Sequence, residues 1–244
     1  MTTLVKIAIT IAFTILLSSC GLDINIGDFN SGIKGNGVVT EDARSINENF
    51  TSISASEGLE VYVTQATDFS ILVEADENVI NLIETDIKDG ELHIHTEKNI
   101  GNATKKVYVS LPKISTLNSS SGAYVKTENT IKTGRLSIAS SSGSIVNIDI
   151  NVDNLNLDSS SGSNLNISGT VGNSEIEASS GSNINAKKLT TKYCNASASS
   201  GGNINIYVSE SINANASSGG NVSYSGDATL TSKKSISGSV SFND

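Results

Sequence analysis

Proline occurs once in the 244 residues, at Pro112, and tryptophan not at all. Proline removes a backbone donor, so a chain without it beyond residue 112 can pair its backbone there without interruption. Cysteine is nearly absent as well: only Cys20 and Cys194 occur. If Cys20 is consumed at the N-terminus, no intramolecular disulfide can form, and stability rests on packing and backbone pairing. Positive charge is scarce, with 16 Lys and Arg against 25 Asp and Glu and a formal net charge of −9. A chain of this sign repels phosphate backbones, so nucleic acid is not an expected partner. Past the leader, no stretch is long and apolar enough to span a membrane.

The leader itself carries one positive charge, Lys6, followed by an apolar run from Ile7 to Leu17. That run is shorter than the roughly 20 residues of a bilayer-spanning helix. A charged start, a short apolar run and small residues before a break mark a secretory signal peptide, here residues 1–19. Leu17-Ser18-Ser19-Cys20-Gly21 resembles the lipobox of bacterial lipoproteins. The resemblance implies that Cys20 becomes the lipidated first residue of the mature chain. The implied location is the cell envelope, at the outer membrane or cell surface, with the membrane as a partner through the lipid. Residues 20–35 are rich in Gly, Asn and Asp without a sustained period, the composition of a flexible tether.

What is abundant is a repeat. Ser-Ser-Gly recurs six times, with its Gly at 122, 143, 162, 181, 201 and 219, in steps of 21, 19, 19, 20 and 18 residues. Aligning on that Gly brings other positions into register. Five before it stand Leu117, Ile138, Leu157, Ile176, Ala196 and Ala214; three after it stand Val125, Val146, Leu165, Ile184, Ile204 and Val222. Polar residues lie between, so apolar and polar alternate on both sides of the bend, the period of a half-buried strand. A unit of about 20 residues cannot bury such a face alone, whereas stacked units can. The expected fold is all-β: a parallel β-helix over residues 116–244, preceded by a β-rich, capping part of the same solenoid over residues 36–115. An antiparallel β-sandwich of short strands is the competing architecture, but it would not need this register. Glycine at the bend suits a positive φ or a close backbone approach.

Residues 36–115 carry longer alternating segments at 59–63, 70–74, 91–95 and 106–111. Lys88-Asp89-Gly90-Glu91 signals a turn, and 78–83 suits a short helical turn. Gly35-Asn36-Gly37, Arg44 and Phe50-Thr51-Ser52-Ile53 stand in order here. Gly58-Leu59-Glu60-Val61, Val73-Glu74-Ala75-Asp76-Glu77-Asn78 and Asp89-Gly90-Glu91-Leu92-His93-Ile94 follow. With the later Ser-Gly-Ala and Ser-Gly-Ser units, this ordered set resembles the head GIN domain family, also called putative auto-transporter adhesins, over about residues 36–240. The resemblance implies a β-helical, secreted or lipid-anchored protein and carries no catalytic motif.

Candidate chemistry follows from the register. Asn164, Asn183, Asn203 and Asn221 share one column, and Asn147, Asn166, Asn185 and Asn205 another. Stacked amides form hydrogen-bonded ladders; the functional alternative is a flat polar strip for sugar hydroxyls. Asp158 and Glu177 fall in one outward column, with Glu175 on the same strand face as Glu177, a weak candidate cation or ligand site. Glycoside hydrolysis needs two carboxyls about 5–9 Å apart, and a lyase would add a nearby base. Arg135, Lys187 and Lys188 are expected in loops away from these acids. His93 and His95 share a strand face but lack an evident third metal ligand. Ser-Ser-Gly has no partnered His and makes no triad, and Cys194 shares an apolar column with Leu136, Leu155 and Ile212. No catalytic residue, metal or cofactor is assigned. The expected function is an envelope-anchored binding or structural surface, an adhesin in class, recognising a cell-surface glycan or protein. The alternative is a carbohydrate-active enzyme of the lyase or glycosidase kind.

Overall fold

The computed structural model describes residues 32–243. The leader, Cys20 and the tether as far as Ser31 lie outside the described residues. From Ile33 the chain is already bonded to the body. Ile33 donates to the Asn99 carbonyl at 2.9 Å and Gly35 to that of Asn102 at 3.0 Å. The Asp76 carboxylate, buried, accepts from Gly37 N–H at 2.8 Å and from Thr104 N–H at 2.7 Å. These bonds draw residues 33–35, the end of the expected tether, and the two residues after them onto the fold.

Alternation makes most of the chain strand. The first part supplies β1 (Val39–Ala43), β2 (Ser52–Ala55), β3 (Glu60–Gln65), β4 (Ser70–Asp76), β5 (Ile83–Lys88), β6 (Glu91–Thr96) and β7 (Lys105–Leu111). The repeats supply β8 (Thr116–Ser119), β9 (Tyr124–Thr127), β10 (Ile131–Ser140), β11 (Ile145–Ser159), β12 (Asn164–Ala178), β13 (Asn183–Ala198) and β14 (Asn203–Ser217). They close with β15 (Asn221–Ser225), β16 (Thr229–Ile236) and β17 (Ser239–Phe242). From β8 onward every pairing is parallel and joins one coil to its neighbour. The chain is the expected parallel β-solenoid.

Each Ser-Ser-Gly is a tight bend in which the second Ser and the Gly are both left-handed, with φ of 50° at Ser161 and 72° at Gly162. The next N–H closes it, as from Ser163 to the Ser160 carbonyl at 3.1 Å. Two positive φ values with this bond are the marks of a type I′ turn. The bends stack on one another too: Gly143 donates to the Ser161 carbonyl at 3.0 Å and Gly162 to that of Ser180 at 3.1 Å. A Cβ at Gly143, Gly162 or Gly181 would meet nothing within 4 Å. Glycine is needed there for its φ, not for close approach. Glu57-Gly58 adopts the same pair of left-handed residues, and Gly58 donates to the Ser121 carbonyl at 3.0 Å.

Residues before the bend form one sheet face, the pre-turn face; residues after it form the post-turn face. A short third face closes the coil, where Ile131, Ile150, Gly169 and Leu189 are successive partners. Val146, Leu165, Ile184, Ile204 and Val222 are likewise successive partners on the post-turn face, and all are fully buried. A one-residue slip would turn that whole column outward, which is what pins the register. Unequal coil lengths are absorbed as irregularities between Asn166 and Ser168, Ala186 and Thr190, and Thr191 and Tyr193. The stretches between Ile148 and Leu155, Ile167 and Ile176, and Ala186 and Ala196, where the constant offsets lead one to expect loops that take up the length variation, are strand. Arg135 lies in β10 and Lys187 and Lys188 in β13, a correction to their expected loop positions. Parallel pairing continues round the corners because backbone groups beside a neighbouring coil are best satisfied by it.

The N-terminal part departs from chain order. Strand β2 lies between β6 and β8, and β3 between β7 and β9. The β6–β7 coil therefore sits outside the β2–β3 coil that precedes it in sequence. Its open edge is then covered by antiparallel strands: β4 on β7, β1 on β4, and β5 on β6. Such a cover protects an edge that would otherwise recruit another chain. The helical turn expected over 78–83 is confined to a 3-10 turn at Ile80–Leu82. Its C-terminal neighbour β5, largely polar, was hidden by its weak alternation.

Candidate functional site

On the post-turn face, residues two and four after each glycine point away from the buried column. Asn164, Asn183, Asn203 and Asn221 are successive ladder partners, as the spacing predicts. The neighbouring column carries a side-chain amide ladder. Asn166 Nδ2 donates to Asn147 Oδ1 at 2.9 Å, and Asn185 Nδ2 to Asn166 Oδ1 at 3.2 Å. Each amide has two N–H donors and an oxygen with two lone pairs. One donor and one lone pair are spent along the axis at Asn166, which leaves the others facing solvent. Beside this ladder runs an open groove of about 360 Å³, with Lys126 and Lys188 among its walls. Asp149 also lines it, but its carboxylate accepts from the Ser168 hydroxyl at 2.8 Å and from Thr130.

Toward the N-terminal cap the same two columns become aromatic and charged. Tyr62 is the ladder partner of both Tyr108 and Lys126, and Tyr124 of both Glu60 and Ile145. The Tyr62 and Tyr108 rings stack with centroids 5.2 Å apart at 19°, and Tyr124 tilts against Tyr62 at 6.2 Å and 59°. Burial, with the Glu60 carboxylate accepting the Tyr62 hydroxyl proton at 3.0 Å, pushes the Tyr62 phenol up to about 12. Lys106 pairs with Glu74 at 2.8 Å and Lys126 with Glu128 at 2.9 Å. Ile145, 41% exposed, follows Tyr124 in its column. The Ser-Ser-Gly register places Tyr124, Lys126 and Ile145 but did not reveal Tyr62, whose anchor is Ser56-Glu57-Gly58 in place of Ser-Ser-Gly. Counting four residues on from Gly58 would have found Tyr62.

On the pre-turn face Asp158 and Glu177 are ladder partners on adjacent coils, both exposed, and Glu175 is exposed in the next outward column. Glu175 shares an open groove of about 500 Å³ with Arg135 and with Asn154 and Asn173, whose amides bond each other at 3.3 Å. Position along the strands separates Arg135 from the acids less than expected. Among the described residues no group of three His, Cys, Asp or Glu side chains could hold a metal ion. His95 bonds Asp86 at 3.0 Å across the β5–β6 hairpin, and His93 lies 3.5 Å from Glu91. Cys194 is buried between Ser174 and Ile212 in its column, so one polar partner joins the apolar set.

A model of the family described as putative auto-transporter adhesin, head GIN domain, matches residues 49–228. Among solved structures, a putative adhesin from Bacteroides fragilis superposes with a TM-score of 0.78 at 24% identity, covering 86% of this chain and 99% of that one. A putative adhesin from Parabacteroides merdae gives 0.66 at 18% identity, covering 87% and 99%. A protein from Parabacteroides distasonis, described as a putative lipid binding protein, gives 0.66 at 19% identity, with the same coverages of 87% and 99%. At these identities the likeness establishes the fold. No curated protein matches the chain.

Proposed function

The chain belongs to the head GIN domain family described as putative auto-transporter adhesins, and from that membership we propose that it is a non-catalytic binding protein of the cell envelope; the lipobox-like Leu17-Ser18-Ser19-Cys20 adds to the proposal a lipid anchor at Cys20. Its solenoid presents flat outer faces to an external ligand, a cell-surface glycan. The observation that carries this reading is the bonded amide ladder of Asn147, Asn166 and Asn185 on an open face. Amides held in place by one another offer fixed donors and acceptors to a hydroxyl-rich ligand, at little further ordering cost. Acyl chains at Cys20 contribute about 0.8 kcal/mol per buried CH₂, so several together hold the head at a membrane. Glycan-array binding by the full chain, run beside a polysaccharide-degradation screen, tests the reading. Binding without degradation is expected. Separately, Cys20→Ala should leave an unprocessed precursor that carries no acyl chain; an acylated variant would remove the anchor from the proposal.

One observation favours the enzyme alternative: Arg135 and Glu175 share a groove. If the screen finds turnover, Glu175→Gln and Glu177→Gln should each leave it within about a hundredfold, the lower range for a general acid or base. A greater loss in either variant would put the enzyme first.

A further inference from the structure

The post-turn face differs along its length in a way that a purely structural ladder does not require. Its outward columns run from Tyr62 and Tyr124 at the capped end, through Lys126 and Ile145, to the Asn ladder. From the β3 strand to the β13 strand this is five strands side by side, about 19 Å at the spacing of paired strands. Apolar ring and side-chain surface, fixed amides and cationic groups thus lie in adjacent columns parallel to the solenoid axis, with Lys188 in the column of Asp149 and Ser168 beside the ladder. Lys188 makes no ion pair among the described residues, and the Lys126 ammonium has only the exposed Glu128 as a partner. The one carboxylate of the groove, Asp149, is held by the hydroxyls of Thr130 and Ser168. Positive charge is therefore available there on a chain whose formal net charge is −9.

Resting on the glycan-binding reading above, we infer that this face binds an acidic polysaccharide laid along the axis, one that carries carboxylates at intervals. The Tyr124 and Ile145 surfaces take the apolar face of a sugar ring, as aromatic side chains do with a CH-rich face at modest cost in ordering. Asn147, Asn166 and Asn185 bond ring hydroxyls. Lys126 and Lys188, at opposite ends of the amide ladder, meet uronate carboxylates in charge-assisted hydrogen bonds, which are stronger than neutral ones. A polypeptide adding as a further strand would need an unpaired edge, and on this face the strands are paired on both sides.

The test is titration of the full chain with hexagalacturonate and, in parallel, with neutral cellohexaose. Hexagalacturonate should bind, more weakly as salt rises, and cellohexaose at least about tenfold less well, about the weight of one charge-assisted contact. The double variant Lys126→Ala/Lys188→Ala should remove that preference. Asn166→Ala and Tyr124→Ala should each weaken binding of both sugars about tenfold, with unchanged circular dichroism, since all four side chains lie on the outside. Equal affinity for the two sugars would overturn the acidic specificity while leaving the glycan reading in place. Hexagalacturonate binding that survives these variants but is lost in Arg135→Ala would overturn the choice of face. Failure of both sugars, with a neutral glycan of other linkage captured on an array, would overturn this inference alone. Failure of every glycan would overturn both it and the reading beneath it.

Discussion

A methyl group added at Gly169 would lie 1.8 Å from the Ile150 carbonyl oxygen, whereas one added at Gly181 would meet nothing within 4 Å. Both glycines have positive φ, 112° and 74°, so the two positions separate conformational from steric demand. Gly181→Ala should cost about 1–2 kcal/mol, the left-handed penalty of a side chain. Gly169→Ala should cost at least about 3 kcal/mol, because backbone and not a flexible side chain stands in the way. Urea denaturation midpoints measure both, and equal losses would contradict the assignment. The serines beside the turn glycines support this view, since Ser142, Ser161 and Ser180 already hold φ near 50° with a Cβ. Cys194 gives a second residue-scale consequence. Its burial pushes the thiol up to about 11 from an ordinary 9.0, opposed by the Ser174 hydrogen bond. Between those values only the unfolded chain releases the proton, so stability is intact below pH 9 and falls as pH rises through about 11. The loss is on the order of 2–3 kcal/mol. Cys194→Ala should flatten that part of the stability–pH curve relative to the parent. Parallel curves would mean that the thiol is not responsible.

At the scale of the strand, inward and outward neighbours should respond very differently to the same charge. Ile184 is fully buried between Leu165 and Ile204, and Asn185 beside it is exposed. Ile184→Asp buries an unpaired carboxylate and should cost several kcal/mol. Asn185→Asp loses one donor to Asn166 at the surface and should cost less than about 1 kcal/mol. Comparable losses in thermal unfolding would mean that the ladder and not the apolar column holds the coil. The buried column was legible in the sequence because a constant offset from Ser-Ser-Gly survives changes in coil length. What was not legible were the corners. Apolar–polar alternation breaks there, at Asp153 for example, and polar strand looks like loop until the neighbouring coil is known to pair with it. The candidate site divides in the same way. The Asn columns and Tyr124, two residues after Gly122, could be read from the repeat, while Tyr62 and Tyr108 belong to coils whose bend is not Ser-Ser-Gly and whose stacking order is not chain order.

For the molecule as a whole, the two ends of the column are closed differently, and that difference should govern how it opens. Stability in a stacked-repeat protein is roughly a sum of coil stabilities and nearest-neighbour interfaces, so a terminal coil with one neighbour is the weakest. At the N-terminal end, β1, β4 and β5 add antiparallel strands beyond the outermost coil, and Asp76 ties residue 37 and residue 104 together. At the other end, β16 and β17 pair on the side of β14 and β15, and Ile236 and Phe242 are 62% and 51% exposed. Phe242 rests edge-on against Tyr224 with centroids 5.4 Å apart. Amide hydrogen exchange should therefore be fastest in β16 and β17, slower in β14, which pairs directly with β16, and slowest through β11 to β13, further from that coil. Tyr224→Ala removes the support of Phe242 and one buried ring of the column; it should speed exchange in β15 and β17 by well over tenfold, the factor that corresponds to about 1.4 kcal/mol. Exchange in β11 should hardly change, because the loss is passed on only through successive interfaces. Uniform acceleration along the chain would mean that the solenoid opens as one cooperative unit, and the end-to-end gradient would then be the wrong description of its energetics.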